Sequence, residues 1–229
     1  AFCKGLNDRL KEMAILADKN LKVIIQGITG REAASFTKDM MDYGTKVVAG
    51  CTPGKQGQKV HGIPVYDTVR EALAEHPAGA SVISVPPALV KGAAFEALDN
   101  GLELIIIVTE RVPRRDVVEI LEVARQNGAR VIGPNTLGLI CPHEVKLGMA
   151  GGPVADVKKS YMPGSVGIAS RSGGMTTEIA NLLTTNGIGQ STCVAIGGDP
   201  IVGANFLELI PMFDADPHTK AVVLFCEPG

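Results

Sequence analysis

Short apolar runs alternate with amphipathic segments along most of this chain. The apolar runs predict buried strands at residues 21–26, 45–50, 80–85, 102–108 and 130–132. The segments between them carry apolar residues every three to four positions, which predicts helices at residues 31–43, 69–75, 88–100 and 114–127. Uninterrupted apolar strands separated by helices are typical of a parallel sheet covered on both faces. The first part of the chain is therefore predicted to be a doubly wound α/β sheet.

The alternation stops near Pro134 and resumes at Val166. The interval is rich in proline and glycine, so we place an inter-domain linker at residues 151–164. Beyond it the pattern predicts strands at 166–169, 191–196 and 221–226 and helices at 175–186 and 204–213. Three strands and two helices leave the faces and edges of a sheet poorly covered. We therefore expect this second domain to be incomplete, so that missing residues or a partner chain must complete it.

Length and composition favour a soluble protein of two domains. The 229 residues exceed the usual size of one domain, about 100–150 residues, and 45% of them are apolar. The net charge of -2 provides no basic field for nucleic acid, and no apolar run approaches the ~18 residues of a membrane span. The five cysteines are scattered without metal-binding spacing, which indicates a reducing cytosol, no disulfide framework and no metal site. The predicted units are an N-terminal extension at 1–19, a first domain at 20–150, the linker at 151–164 and part of a second domain at 165–229.

The segment from Val166 to Met175 predicts an anion site. A short buried strand ends at Ala169, and a helix begins near Gly173. A helix N-terminus carries unpaired N–H groups and about half a positive charge, which favour bound anions. We therefore predict that the turn holds a phosphoryl or carboxylate group. Its residues are Ser170, Arg171, Ser172 and Gly173.

A second candidate anion site follows the first predicted strand, at residues Gln26–Arg31. Gly27 and Gly30 permit close approach of a ligand to the backbone, and Thr29 and Arg31 add side-chain donors. In a doubly wound fold this turn meets the phosphates of a bound nucleotide. Because the segment departs from the G-x-G-x-x-G fingerprint, an ordinary strand–helix turn is the alternative.

The loops after the next strands indicate which nucleotide binds. A NAD-binding domain has an acidic residue after its second strand, whereas this chain has Pro53, Gly54 and Lys55. A lysine there favours a phosphorylated ribose, as in NADP or coenzyme A, and a solvated surface lysine is the alternative. The loops after the third and fourth strands should line the same crevice, and Pro86-Pro87, which cannot donate hydrogen bonds, should give it an apolar wall. Their residues are Ser84, Val85, Pro86, Thr109 and Glu110.

From about Asn20 to Gly229, the chain resembles the α subunit of succinyl-CoA synthetase and its relatives, the nucleotide-dependent acid–CoA ligases. The resemblance rests on Gln26-Gly-Ile-Thr-Gly30, Thr52-Pro-Gly-Lys55, Gly133-Pro-Asn135, Ser170-Arg-Ser-Gly173, Gly189-Gln-Ser-Thr192 and Gly197-Gly-Asp-Pro200. It implies a Rossmann-like CoA-binding domain followed by a flavodoxin-like ligase domain. It also implies a hetero-oligomer with an ATP-grasp β subunit, and this β subunit binds ATP or GTP with Mg²⁺. The implied location is the cytoplasm, or the mitochondrial matrix if the source is a eukaryote. The implied reaction proceeds through an acyl phosphate and a phosphohistidine.

The resemblance also assigns site residues. The residues that it implies for CoA are Gly27, Thr29, Gly30, Arg31, Pro53, Lys55, Ser84, Val85, Pro86, Thr109, Glu110 and Asn135. It implies that Ser170, Arg171, Ser172 and Gly173 cradle a phosphate, and that Glu227 steadies the phosphohistidine.

The chain departs from the family pattern at several positions. Family members often carry Ser or Lys at Arg31, and many have Cys-Pro at Thr136-Leu137. The Gly-His-Ala-Gly-Ala motif that holds the phosphorylated histidine is absent from the sequence, and the four histidines are expected at the surface. The chain alone is therefore expected to bind CoA without completing the reaction.

The acid substrate and the functional class have alternatives. Gly174-Met175, where the succinate enzymes usually have Thr-Leu, resembles the citrate-using branch, ATP-citrate lyase and citryl-CoA synthetase. The segment Gly189–Pro200 instead has a succinate-type appearance. A non-catalytic CoA-binding paralogue is the second hypothesis for the function. An NADP-dependent oxidoreductase is the third, although the chain offers no evident pair of residues for hydride transfer.

Overall fold

A computed structural model describes residues 15–227 of the chain. The first sheet contains seven strands in the spatial order β3–β4–β2–β1–β5–β6–β7. All neighbouring pairs in it are parallel except the short antiparallel pair β3–β4. The strands are β1 (Lys22–Gln26), β2 (Lys46–Cys51), β3 (Lys59–Val60), β4 (Ile63–Tyr66), β5 (Ala80–Ile83), β6 (Leu104–Ile107) and β7 (Arg130–Ile132).

Helices cover both faces of this sheet, which confirms the predicted α/β class. They are α1 (Arg31–Tyr43), α2 (Val69–Glu75), α3 (Val90–Asp99), which follows a 3-10 turn at Pro87–Leu89, and α4 (Arg114–Asn127). Apolar residues of α1 pack on one face, and those of α2, α3 and α4 pack on the other. Local signals set the helix ends. The left-handed glycines Gly44 and Gly128 end α1 and α4, and a capping box between Thr68 and Glu71 starts α2.

The second sheet contains five strands in the order β12–β10–β11–β8–β9. The strands β12, β10 and β11 are parallel, with β12 at the edge, and the hairpin β8–β9 joins β11 in antiparallel orientation. The strands are β8 (Gly138–Cys141), β9 (Val145–Gly148), β10 (Pro163–Ser170), β11 (Gln190–Ala195) and β12 (Ala221–Phe225). The helices are α5 (Val154–Ser160), α6 (Gly173–Thr185) and α7 (Phe206–Ala215).

The boundary between the two sheets differs from the predicted domain limits. Strands β8 and β9 lie within the range assigned to the first domain, but they pair with the second sheet. They were missed because each is only four residues long and is buried on both faces, so neither shows the alternation of a half-buried strand. The predicted linker contains α5. Ile15, Leu16 and Ala17, from the predicted extension, are buried in the main core, whereas residues 1–14 lie outside the described part.

One apolar cluster runs through both sheets. Ile106 and Ile132 of the first sheet belong to the same core as Val194 of the second. A buried hydroxyl also links the sheets, because Thr45 Oγ1 donates to the carbonyl oxygen of Lys146 at 2.7 Å and accepts from its N–H at 3.1 Å. These contacts attach the edge strand β9 to the first domain. Within residues 15–227, every helix is too short or too polar to cross a bilayer.

Candidate functional site

The turn between β1 and α1 is built for close approach to its backbone. Gly27 has a φ of +85°, and a Cβ placed on it would lie 2.2 Å from the carbonyl oxygen of Ser84. Its N–H donates to Cys51 O at 2.7 Å, and Gly30 N donates to Gly27 O at 2.9 Å. Gly30 is the N-cap of α1, and no side chain of residues 15–227 caps the first turn. Its leading N–H groups therefore remain available to an anion, with the exposed Arg31 beside them.

The loop after β2 lies next to this turn. Thr29 Oγ1 donates to Thr52 Oγ1 at 3.3 Å, which links the two loops. The Asp67 carboxylate accepts from the N–H groups of Lys55 and Gln56, each at 3.0 Å, and so fixes the backbone. Lys55 is exposed, and no acidic side chain of residues 15–227 forms a salt bridge with it. The backbone at Lys55 is therefore fixed, and its exposed ammonium group is open to an anionic ligand. Pro53, on the same loop, is also exposed.

A cleft of about 550 Å³ extends from Glu32, in the first turn of α1, to Leu137 and Met149 beside the second sheet. The predicted phosphate-binding residues at 27–31 and 53–55 are not part of its lining. The cleft contains six of the residues predicted to line the CoA groove. Hydrogen bonds connect its walls, because Thr109 Oγ1 donates to Val85 O at 2.8 Å and Asn135 N donates to Thr109 O at 2.9 Å. The lining residues are Glu32, Ser84, Val85, Pro86, Pro87, Val108, Thr109, Glu110, Arg111, Asn135, Thr136, Leu137 and Met149.

The turn at residues 170–173, here called the anion turn, joins β10 to α6. Ser172 is the N-cap of α6 and accepts from Met175 N at 3.4 Å. Ser170 is fully buried, and its hydroxyl donates to Ser172 O at 2.7 Å and accepts from Ser172 N at 3.1 Å. The Ser170 hydroxyl therefore supports the turn from within, and the predicted role of Ser170 in holding a phosphate stays a prediction.

The two glycines of the anion turn have different surroundings. A Cβ on Gly173 would lie 2.3 Å from Leu137 Cγ, whereas a Cβ on Gly174 would have no neighbour within 4 Å. Leu137 also lines the cleft, so the cleft and the anion turn are in direct contact. Gly173 is required by packing, and Gly174 leaves open space at the start of the helix.

Arg171 points towards the loop after β11. Its Nη2 donates to Asp199 O at 2.7 Å, and its backbone N–H donates to Phe225 O at 3.1 Å. The buried Nε has no hydrogen-bond partner among residues 15–227. Glu227 is exposed two residues beyond Phe225. The Arg171 guanidinium is therefore partly used in a hydrogen bond to the loop at residues 196–205, which was not among the predicted site segments.

That loop contains Asp199, a residue that sequence reasoning did not single out and that contacts Asn135 of the cleft. Its carboxylate oxygen accepts from Asn135 Nδ2 at 2.9 Å. The motif Gly197-Gly-Asp-Pro200 had been noted, but a motif alone does not show which side chain it contacts. The sequence offered one indication of this contact: both Gly133-Pro-Asn135 and Gly197-Gly-Asp-Pro200 are motifs that the chain shares with the family it resembles.

The four histidines lie away from the anion turn. They occupy the β3–β4 turn (His61), the C-cap of α2 (His76), the β8–β9 hairpin (His143) and the loop before β12 (His218). His218 precedes the N-terminal end of β12, whereas the anion turn contacts its C-terminal end at Phe225.

The thiols inside the fold are unsuited to nucleophilic chemistry. Burial, followed by the charges of Glu96 and Glu71, raises the pKa of Cys51 to about 12. Burial likewise raises the pKa of Cys141 to about 12. Both thiols therefore stay protonated near neutral pH. Within residues 15–227, no group of three or more His, Cys, Asp or Glu side chains is arranged to hold a metal ion.

Comparison with known proteins identifies the two units. The profile of the CoA binding domain matches residues 18–111, and the profile of the CoA-ligase domain matches residues 169–229. These matches define a CoA-binding domain followed by CoA-ligase residues. The uncapped turn, the lysine and the cleft fit CoA, since they offer donors for phosphates and a partly apolar channel for its pantetheine arm.

The family is shown by the similarity of whole chains. The chain is 47% identical over 220 residues to the α1 subunit of ADP-forming succinate–CoA ligase from Archaeoglobus fulgidus, covering 96% of this chain and 74% of that protein. It is 42% identical over 217 residues to the ADP-forming sulfoacetate-CoA ligase subunit SqwL of an Acholeplasma species, covering 95% and 72%. The chain therefore belongs to the family of succinate–CoA ligase α subunits, which removes the support for an NADP-dependent oxidoreductase.

A solved structure shows the same fold. The ATP citrate lyase of Methanothrix soehngenii, in complex with citrate and coenzyme A, matches with a TM-score of 0.84 and 28% identity. The match covers 92% of this chain and 36% of that chain, so this chain spans about a third of that enzyme.

Proposed function

We propose that the chain is the CoA-binding α-type subunit of a nucleotide-dependent acid–CoA ligase. The complete enzyme would join a small carboxylic acid to CoA through an acyl phosphate and a phosphohistidine. One observation carries the proposal: Leu137 lines the cleft and also packs against Gly173 of the anion turn. A ligase needs this adjacency, because the thiol must reach an acyl group that has just been activated by phosphate.

The first domain would bind CoA by its phosphates. The N–H group of Arg31, at the start of α1, would meet the pyrophosphate, and Gly27 allows the backbone to approach it. Lys55 would pair with the phosphate on the ribose. CoA supplies the thiol that becomes the thioester. The remaining groove residues, from Ser84 to Asn135, would orient its pantetheine arm along the cleft.

The anion turn would hold the phosphoryl group. The leading N–H groups of α6 and the charge of Arg171 favour a bound anion, and Ser172 keeps the helix start in place. We propose that Glu227 orients a phosphorylated histidine other than the four in this sequence. That part of the proposal is supported by the distribution of those four over loops and ends away from the turn.

The partner would be an ATP-grasp β subunit that binds ATP or GTP with Mg²⁺. The relatives at 45–48% identity are named as α subunits of ADP-forming succinate–CoA ligase, which favours succinate as the acid. Citrate is the second candidate, because Gly174 leaves space for a larger acid and a structural relative binds citrate. We place the protein in the cytoplasm, in line with its reduced cysteines.

A non-catalytic CoA-binding protein is the second candidate function. The positions of the four histidines favour it, since none of them lies at the anion turn. The capped helix start and the packed Gly173 argue for catalysis, because CoA binding alone requires neither feature.

The test uses the full-length gene product with its β-type partner. Incubation with γ-labelled ATP or GTP should label this subunit on histidine, and added CoA with succinate or citrate should remove the label and yield the thioester. The partner alone is the control. If histidine is not labelled and no thioester forms with succinate, citrate, malate or sulfoacetate, the chain is not a ligase subunit.

A further inference from the structure

Asp199 connects the cleft to the anion turn through two of its own groups. Its carboxylate accepts from Asn135 Nδ2 at 2.9 Å, and Asn135 lines the cleft. Its backbone carbonyl accepts from Arg171 Nη2 at 2.7 Å, and Arg171 belongs to the anion turn. A single residue therefore contacts one member of each site.

The loop that carries Asp199 is fixed to the end of the first sheet. A Cβ on Gly197 would lie 2.3 Å from Pro134 O, and a Cβ on Gly203 would lie 2.2 Å from Val131 O, so neither position accommodates a side chain. Four backbone hydrogen bonds join residues 196–204 to residues 131–135, with lengths of 3.0, 3.1, 2.9 and 2.7 Å. Asp199 is thus held in a defined place between the two domains.

The carboxylate determines how the amide of Asn135 faces the cleft. A carboxylate only accepts hydrogen bonds, so the nitrogen of the Asn135 amide must turn towards Asp199. The amide oxygen is then directed away from Asp199. The backbone of Asn135 is fixed as well, because its N–H donates to Thr109 O, its carbonyl accepts from Gly198 N at 3.1 Å, and its φ is +57°.

We propose that Asp199 is a positioning residue for the ligase reaction. Its carboxylate orients the Asn135 amide at the CoA cleft, and its backbone carbonyl holds Arg171 at the anion turn. The thiol of CoA and the phosphoryl group are thereby positioned close to each other. The inference rests on the proposed function, because it assigns Asp199 to the same reaction.

The first variant is Asp199→Asn, measured in the complete enzyme with its β-type partner. An asparagine at this position can donate or accept, so the Asn135 amide loses its single orientation. We expect kcat for thioester formation to fall about tenfold, the difference between a charged and a neutral hydrogen bond. The KM for the nucleotide should not change. Asp214→Asn, on the exposed side of α7, is the matched control and should behave as wild type.

The second variant exchanges the pair, Asn135→Asp with Asp199→Asn. This exchange restores a hydrogen bond between the two residues but places a carboxylate at the cleft. If Asp199 positions Asn135, the melting temperature should return to the wild-type value while kcat stays at least about tenfold low. A kcat that returns to the wild-type value together with the melting temperature would overturn the inference, because the Asn135 amide would then have no part in the reaction.

The outcomes separate this inference from the proposed function. An active wild-type enzyme with wild-type kinetics in Asp199→Asn would overturn the inference alone. A wild-type enzyme that forms no phosphohistidine and no thioester would overturn both. Should Asp199→Asn fail to fold, the exchanged pair decides the matter, because it keeps the hydrogen bond.

Discussion

The α-carbon of Gly27 packs so closely on the carbonyl oxygen of Ser84 that a Cβ there would lie only 2.2 Å away. This approach joins the first strand–helix turn to the loop that begins the cleft. The turn where phosphates would bind and the cleft where the rest of CoA would lie are therefore neighbours.

Gly27→Ala should be much more destabilising than Gly57→Ala. The two glycines have nearly equal φ, +85° and +84°, but a Cβ on Gly57 meets nothing within 4 Å. The left-handed conformation alone should cost about 1–2 kcal/mol at Gly57. At Gly27 the clash with Ser84 should add about 1–3 kcal/mol. Urea unfolding of both variants measures the difference, and equal free energies of unfolding would show that the close contact is absent.

Gly173→Ala should be rescued by Leu137→Ala. A Cβ at 173 would lie 2.3 Å from Leu137 Cγ, so it must displace that side chain, whereas the open position 174 provides the control Gly174→Ala. We expect a double-mutant cycle of the free energies of unfolding to give a coupling of about 1–3 kcal/mol. Additive effects of the two substitutions would mean that the cleft and the anion turn are not in contact.

Gly174→Thr should alter the choice of acid while leaving the fold intact. The position is exposed and has open space around it, so a threonine can fit and narrow the approach to the anion turn. We expect kcat/KM for citrate to fall at least about tenfold relative to that for succinate, since a steric clash in a binding pocket costs about 1–3 kcal/mol. Competition between the two acids in one reaction measures the ratio. An unchanged ratio of the two kcat/KM values would show that residue 174 does not determine which acid the enzyme uses.

Alkaline pH should destabilise the protein through its buried thiols. Burial raises the pKa of Cys141 from 9.0 to about 12, so between these values the folded state keeps a proton that the unfolded state releases. The stability from this thiol is complete below pH 9 and is lost as the pH rises towards 12. Each fully retained proton contributes a slope of about -1.4 kcal/mol per pH unit.

Cys141→Ala should therefore flatten the fall in unfolding free energy between about pH 9.5 and 11. Its absolute stability at neutral pH will be lower, because the thiol packs in the core, so the slope is the quantity to compare. Cys226→Ala, which changes an exposed thiol, should keep the wild-type slope. Identical slopes in wild type, Cys141→Ala and Cys226→Ala would contradict the conclusion that burial raises the pKa of Cys141.

Much of the first domain could be predicted from the sequence because its signals are local. The helices at 31–43 and 114–127 have the predicted bounds, since Gly44 and Gly128 mark their ends and their apolar spacing is regular. The hairpin β8–β9 could not be predicted in the same way. Its strands are short, buried on both faces and placed by pairing with β11, about fifty residues further along the chain.

In the site, too, local signals could be predicted and contacts between distant residues could not. The cleft residues follow from the rule that ligands bind at the carboxyl ends of parallel strands. The bond between Asn135 and Asp199 joins residues 64 positions apart, and no local pattern indicates it. Likewise, a sequence does not show whether a serine hydroxyl forms a hydrogen bond with the backbone of its own turn, as the hydroxyl of Ser170 does.

The most direct test of the account is the binding of CoA and of dephospho-CoA by the chain, measured by isothermal titration calorimetry. Lys55 is exposed, and its backbone is fixed by Asp67 beside the first turn, so its ammonium should pair with the phosphate on the ribose. The removal of a charge-assisted bond costs about 1.5–3 kcal/mol, or more than about tenfold in Kd.

We expect wild type to bind CoA at least about tenfold more tightly than dephospho-CoA, and Lys55→Ala to lose that preference. Lys158→Ala, which removes an exposed lysine of α5, should keep it. If wild type binds neither compound, or binds both equally, the assignment of the first domain to CoA through Lys55 is wrong.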